Sequence, residues 1–290
     1  MSGRLQPFLA ACGLALGLCA CHFAPDTVAS SHGVSGTGGS GTDGSDGSTT
    51  IDSGSVCTGR TSLNAGADAG LSQGLVAYYS CDQATGATLS DLSGNNNNGA
   101  LVTGTGGAVG YGFATGKVGN AMALTAANKG YAVLPAGILA NACAATIATW
   151  VKINTQVNYQ RVWDFGRDST MYMYLTTSDA ISMPRFGISI AGNGSHEFGI
   201  DGQAALSADE WHHLAVVLGP SDVVLYVDGQ PAGTNTSITL RPADLGSTPN
   251  NYIGHSQFSA DAYLDGAIDE FRVYDRALSP GEVQALASGS

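Results

Sequence analysis

The chain has 290 residues, a formal net charge of -12 and 41 glycines, with 43% of residues hydrophobic and only 12% charged. An acidic balance without a basic patch excludes nucleic acid and anionic membrane surfaces as natural partners. Sparse charge beside abundant glycine, serine, threonine and asparagine argues against a helical bundle, whose exposed faces need Glu, Lys and Arg, and points to short strands joined by tight turns.

The opening stretch, MSGRLQPFLAACGLALGLCAC, holds one Arg, then an apolar run too short for a stable span, then small residues and cysteine. Residues 1–20 read as a secretory signal. LCAC resembles a bacterial lipobox, with Leu18 three before Cys21, Ala20 just before it and Cys19 an unusual middle residue. That resemblance implies lipidation at Cys21 and attachment to the cell envelope, at the outer membrane or cell surface. Ordinary signal cleavage beside an unmodified cysteine is the other reading. Residues 21–55 form a Ser/Gly/Thr-rich segment that holds almost nothing apolar from Ala29 to Ser55, and read as a flexible, solvated tether. Residues 56–73 are transitional, and 74–288 form one domain.

Strand-like runs then alternate with turn signals. LVAYYSCD comes first, followed by the polar turn DLSGNNNNGAL, then NAMALTA, GYAVLP, ATIATWVKI, QRVWDFG, MYMYLTT and RFGISIAG. WHHLAVVLG, VVLYVDGQPAG, NNYIGHS and YLDGAIDEFRVYDRALSPGEV complete the series. Asp228-Gly229 signals a type I′ hairpin. One helix is expected, at the C-terminus: Ser279 caps it, Pro280 takes its first position and Glu282 completes a capping box. The expected fold is all-β, a two-sheet antiparallel sandwich with one short C-terminal helix. GTGGAVGYG is glycine-rich but lacks the strand-to-helix context of a phosphate loop.

Of six cysteines, Cys12 and Cys19 would leave with the signal and Cys21 would carry lipid, so Cys57, Cys81 and Cys143 are the disulfide candidates. An odd number predicts one pair and one free thiol, the pairing left open. No CxxC or metal-type spacing occurs, which disfavours zinc.

Four stretches carry a family resemblance: GLVAYYSCDQATGATLSDLSGNNNNG, ATIATWVKI, DEWHHLAVVLGPSDVVLYVDGQPAG and LDGAIDEFRVYDRALSPGEV. In this order they resemble the laminin-G-like jelly-roll domains of the concanavalin A-like lectin/glucanase superfamily. The resemblance implies two stacked antiparallel sheets, one concave. The fold hosts lectins, adhesion modules and enzymes alike, so it does not decide function.

Under strict alternation, Asp269, Phe271 and Val273 share one strand face and Glu270, Arg272 and Tyr274 the other. A carboxylate among apolar side chains needs a partner, which makes Asp269 an anchor or a metal ligand. By resemblance, a structural Ca²⁺ is expected at Asp82 and Asp269, with Asn95 supplied by the adjoining turn. The competing reading gives Asp269 backbone N–H donors, or Arg272 or Arg276 as a partner. Glucanases on this fold place carboxylates at alternate strand positions, whereas Asp269 and Glu270 are adjacent, so no catalytic residue is assigned and the chain is expected not to be an enzyme. Tyr172 and Tyr174, projecting together from MYMYL, are the candidate ligand-binding platforms, with Tyr159 and His196 adding a rim from loops. The expected function is non-catalytic recognition of carbohydrate or another surface protein, by a monomer. A divergent glycoside hydrolase and a purely structural or adhesive module are the alternatives.

Overall fold

The structure, a computed structural model, describes residues 57, 70–105, 108–192 and 196–289. The signal sequence, Cys21 and the tether to residue 55 lie outside the described residues. In chain order the first elements are β1 (Leu75–Tyr79), β2 (Thr88–Leu89), β3 (Gly99–Thr103), β4 (Tyr111–Thr115), β5 (Asn120–Leu124), β6 (Gly130–Leu134), β7 (Ala145–Ile153) and β8 (Arg161–Asp168). They continue with β9 (Met171–Thr176), β10 (Arg185–Ser189), β11 (Phe198–Asp201), β12 (Trp211–Leu218), β13 (Val223–Val227), β14 (Gln230–Asn235), β15 (Asn250–Ile253), β16 (Gly266–Tyr274) and α1 (Pro280–Ala287).

The strands form two antiparallel sheets of eight. The first runs β14-β13-β12-β7-β16-β5-β4, with β1 also paired to β16; the second runs β11-β10-β9-β8-β15-β6-β3-β2. Alternation decides what each strand buries. Ile147, Val151, Leu214 and Phe271 from the first sheet meet Trp163, Phe165, Met173 and Phe186 from the second in the main core. The runs read from sequence become strands, and Asp228 (φ 51°) and Gly229 (φ 77°) make the predicted turn. Strands β2, β3, β4 and β11 are short and lie in polar or glycine-rich surroundings, so no extended apolar run marks them in the sequence.

A second apolar layer covers the first sheet from outside. Val283 and Leu286 of α1 pack with Ala148, Ala215, Val217, Tyr226 and Tyr274. This explains why β7 is buried at all but one position: it has protein on both faces. The capping box forms as predicted, Ser279 accepting from the Glu282 N–H and Glu282 accepting in return. Arg276 locks the helix start to the beginning of the domain, pairing with Glu282 and donating to the carbonyls of Gln73 and Gly70.

Strict alternation fails on β16. Register pairs Asp269 with Trp150 but Arg272 with Ala148, so a bulge intervenes, and Glu270 takes φ 54°. The inserted residue moves Asp269 to the outer side with Trp150, opposite Phe271 and Val273. The expected apolar-face position of Asp269 is therefore corrected.

Cys57 pairs with Cys143, 86 positions away, and Cys81 stays a buried free thiol whose burial pushes its pKa up. Closing so long a loop removes unfolded-state entropy worth about 4.6 kcal/mol. Cys143→Ser is expected to lower the unfolding midpoint strongly. Cys81 should resist alkylation until denaturant is added; rapid labelling of the native oxidised protein would contradict its placement.

Candidate functional site

With α1 over one sheet, the outer face of the second sheet is the open one. Register stacks Tyr172 and Tyr174 of β9 across Gly166, Asp164 and Gly187 on that face. The glycines make room for the rings: a Cβ at Gly187 would lie 2.7 Å from the Tyr174 ring, and one at Gly166 would lie 3.0 Å from the Tyr172 Cβ. Both tyrosine hydroxyls donate to Glu197, at 2.8 and 3.1 Å. Arg185 donates to Glu197 at 3.1 Å and to Asp201 at 2.6 Å. The Arg161 guanidinium lies 3.8 Å from the Tyr174 ring centroid and pairs with Asp164 at 3.3 Å and Asp261 at 2.9 Å. Phe258 stands edge-on to Tyr172 at 5.2 Å. Of these groups Arg161, Tyr174, Arg185, Glu197, Phe258 and Asp261 line a cleft of about 460 Å³, together with Tyr159 and Asp179.

Asp164 is 0% exposed. Its Oδ2 accepts from Arg161, Ser256 and the Gln257 N–H, while Oδ1 has no hydrogen-bond partner. Burial raises its pKa to about 7, against the opposing pull of Arg161. Tyr159, 37% exposed, holds a left-handed φ of 64°, its N–H donating to the Ser178 carbonyl. Such strain persists only where the surroundings over-determine it, and it concentrates at functional sites.

Tyr172 and Tyr174 do project together, but they are buried, so the reading as open stacking platforms is corrected. Phe258 and Arg161 pack on them and Glu197 takes their hydroxyls, so Tyr174 lines the cleft and Tyr172 supports it from behind. Tyr159 lines the cleft and is partly exposed. His196 precedes Glu197, and its carbonyl accepts from Ser189 at 3.2 Å.

At the other proposed site, Asp269 and Asp82 hold one turn. Asp269 Oδ2 accepts the Val118 N–H at 2.9 Å, and Asp82 Oδ1 accepts the Asn120 N–H at 2.9 Å. Gly119 holds a left-handed φ of 57°, which favours glycine, and a Cβ there would come within 2.0 Å of Asp82 Oδ1 and displace that carboxylate. Asp269 Oδ1 is buried without a partner, and burial raises this carboxyl's pKa to about 6. Arg272 pairs with Glu270 and Arg276 with Glu282, so neither serves Asp269. Asn95 does not join the pair, which is a correction. Its amide donates to the Leu75 and Val76 carbonyls, at the opposite end of β1 from Asp82. There Asn95, Asn97 and Asp91 satisfy the unpaired edge of β1. Among the described residues, no group of three or more His, Cys, Asp or Glu side chains is placed to hold a metal.

Residues 126–284 match the Laminin_G_3 family model, of the concanavalin A-like lectin/glucanases superfamily. The chain belongs to this family. No curated protein matches it. Among solved structures it is similar to domain 4 of AbnA, a GH43 extracellular arabinanase from Geobacillus stearothermophilus, in complex with arabinotriose. That likeness has TM-score 0.62 and 24% identity over 73% of this chain and 98% of that one. It is also similar to the binding domain of Paraclostridial Mosquitocidal Protein 1, with TM-score 0.56 and 16% identity over 76% and 53%. The binding domain of botulinum neurotoxin DC in complex with rat synaptotagmin II gives TM-score 0.56 and 12% identity over 76% and 52%. The chain spans about half the length of these toxin structures.

Within this laminin-G-like domain, sequence reasoning missed Arg161, Arg185, Phe258 and Asp261, which come from β8, β10 and the β15–β16 loop and meet only through strand order. Glu197 carried a signal in hindsight: it is one of only four glutamates, and two of the others had turn or cap positions. Elsewhere, His212 bridges Ser207 and Asp228, at 2.9 Å each. Ser207 also bonds Glu210 at 2.5 Å, so this surface network ties the start of β12 to the β13–β14 hairpin.

The raised carboxyls have a pH signature. A folded-state pKa above the unfolded one means that the folded chain binds the extra proton, so this contribution to stability grows as pH falls from 7 toward 4. Buried His213 and His255, both lowered to about 4, act in the opposite sense below pH 6.5. A difference measurement isolates Asp269. In chelator, Asp269→Asn should melt higher relative to wild type at pH 7.5 than at pH 5. A pH-independent difference would show that Asp269 does not titrate in this range.

Proposed function

We propose that this chain is a non-catalytic carbohydrate-recognition module. The observation that carries the reading is the cleft on the open face, where Arg185, Glu197, Arg161 and Asp261 are fixed beside Tyr159 and Phe258. Sugars offer hydroxyls that donate and accept in fixed directions, together with weakly polar ring faces. Forked guanidinium and carboxylate groups held next to aromatic rings complement both features. Because Tyr172, Tyr174 and Arg185 all engage Glu197, its carboxylate is suited to orient a ligand more than to transfer a proton. The arabinotriose in the similar arabinanase domain supports the carbohydrate class.

A second reading, protein recognition, draws on the synaptotagmin-bound toxin domain. In either case the lipid at Cys21 and the 21–55 tether would display the module from the cell envelope. The proposal also includes a structural Ca²⁺ at Asp269 and Asp82, favoured by the donorless Asp269 Oδ1. Bound there, a hard cation would satisfy that oxygen and tie the β4–β5 turn to β16.

Calorimetric titration against arabinan, xylan, cellulose and host-type glycans tests the first reading. One class should bind, and both Glu197→Gln and Tyr159→Ala should weaken it about tenfold or more, near 1.4 kcal/mol, with melting unchanged for Tyr159→Ala. Binding that ignores both variants would place the ligand elsewhere. Calcium should raise the wild-type melting midpoint and leave that of Asp269→Asn unmoved; equal rises would remove the metal from this site.

A further inference from the structure

We propose that the recognition surface is a groove with two subsites, built for a linear polysaccharide chain, with the second subsite an aromatic platform over β6 and β15. This rests on the carbohydrate reading of the first cleft and extends it to the length and form of the ligand.

Tyr131 of β6 and Tyr252 of β15 rise on the same outer face as Tyr174, because Tyr252 pairs with Asp164 while core-facing Ile253 pairs with Trp163. The loop after β15 adds His255 and Tyr263. The His255 ring stacks on Tyr263 at 4.4 Å and 10°, and lies 4.8 Å from Tyr131 and 4.9 Å from Tyr252. Tyr131 and Tyr252 meet edge-on at 5.7 Å. All four rings are partly exposed, unlike Tyr172 and Tyr174. Clustered aromatic surface left open on a domain with a complete core marks a site of interaction. Tyr252, His255 and Tyr263 line a cleft of about 690 Å³, which also presents the polar side chains of Asn250, Gln257 and Lys129.

The two clefts share a wall. Asp261 lines both, and its Oδ2 accepts from Arg161 of the first cleft at 2.9 Å and from Ser256 of the second at 2.8 Å. The first cleft lies over β10, β9 and β8, and the second over β8, β15 and β6. At about 4.8 Å per strand the groove crosses roughly 19 Å of sheet. One sugar ring cannot touch Tyr159 and Tyr263 together, whereas a chain of sugars crossing the strands meets the charged cleft with one stretch and the aromatic platform with the next. Stacking on ring faces tolerates repetition, as a polymer requires.

The test is calorimetry with arabino-, xylo- and cello-oligosaccharide ladders from the disaccharide upward. Affinity should rise about tenfold along the ladder that binds. Tyr263→Ala should erase the rise and leave the disaccharide affinity intact, Tyr263→Phe should keep it, and Tyr159→Ala should weaken every length. Tyr252→Ala serves as the second variant if Tyr263→Ala melts well below wild type. A ladder that binds without gaining affinity, or a gain that survives loss of the platform rings, overturns the second subsite and leaves the first cleft standing. Failure of every ladder overturns both.

Discussion

The arrangement depends on α1 closing the outer face of the first sheet. β7 and β12 present Ala148, Ala215 and Val217 away from the core, and in water that surface would cost about 25 cal/mol for each Å² exposed. Val283 and Leu286 cover it. The helix has only eight residues and cannot be stable alone. It stays because its capping box and Arg276 hold its first turn against Gln73 and Gly70. Covering one sheet in this way leaves the outer face of the other open, and both clefts lie there.

On that open face the energetics favour fixed geometry over stability. Burying Arg161 and Asp164 costs several kcal/mol of desolvation per ion before their attraction repays it, and replacing such a pair with apolar residues is often neutral or stabilising. The groups remain polar and are held by many partners: Arg161 by Asp164, Asp261 and the Tyr174 face, and Glu197 by two hydroxyls and Arg185. Side chains held this way have already lost their rotamer entropy in folding, which would lower the cost of binding a ligand there.

Much of the fold was legible because it is written locally. ATIATWVKI became β7 residue for residue, and the Ser279–Glu282 box and the Asp228-Gly229 turn formed as their chemistry demands. The site was legible only in part. That Tyr172 and Tyr174 share a face follows from a period of two, but their burial depends on Phe258 and Arg161 arriving from other segments. Asn95 matched a polar turn that could have served a metal. Its role follows from β1 lacking a second neighbour, which is a property of sheet order. The Cys57–Cys143 pair likewise needed the fold to choose it over Cys81.

The hardest feature to foresee was the bulge at Glu270, and it sets the chemistry beside it. Glu270 in β16 and Cys81, two residues past the end of β1, both hold left-handed φ values, a strain of about 1–3 kcal/mol each. Tyr78 donates to Glu270, and Arg272 pairs with Glu270 while lying 4.1 Å over the Tyr78 ring, so the bulge is clamped from β1. The clamp also takes Arg272 away from Asp269. Asp269 and Asp164 are thus both buried, both raised in pKa and both left with one donorless oxygen, but only Asp164 has an arginine beside it. At Asp164 an arginine offsets part of the buried charge, at Asp269 none does, and the bulge creates that difference.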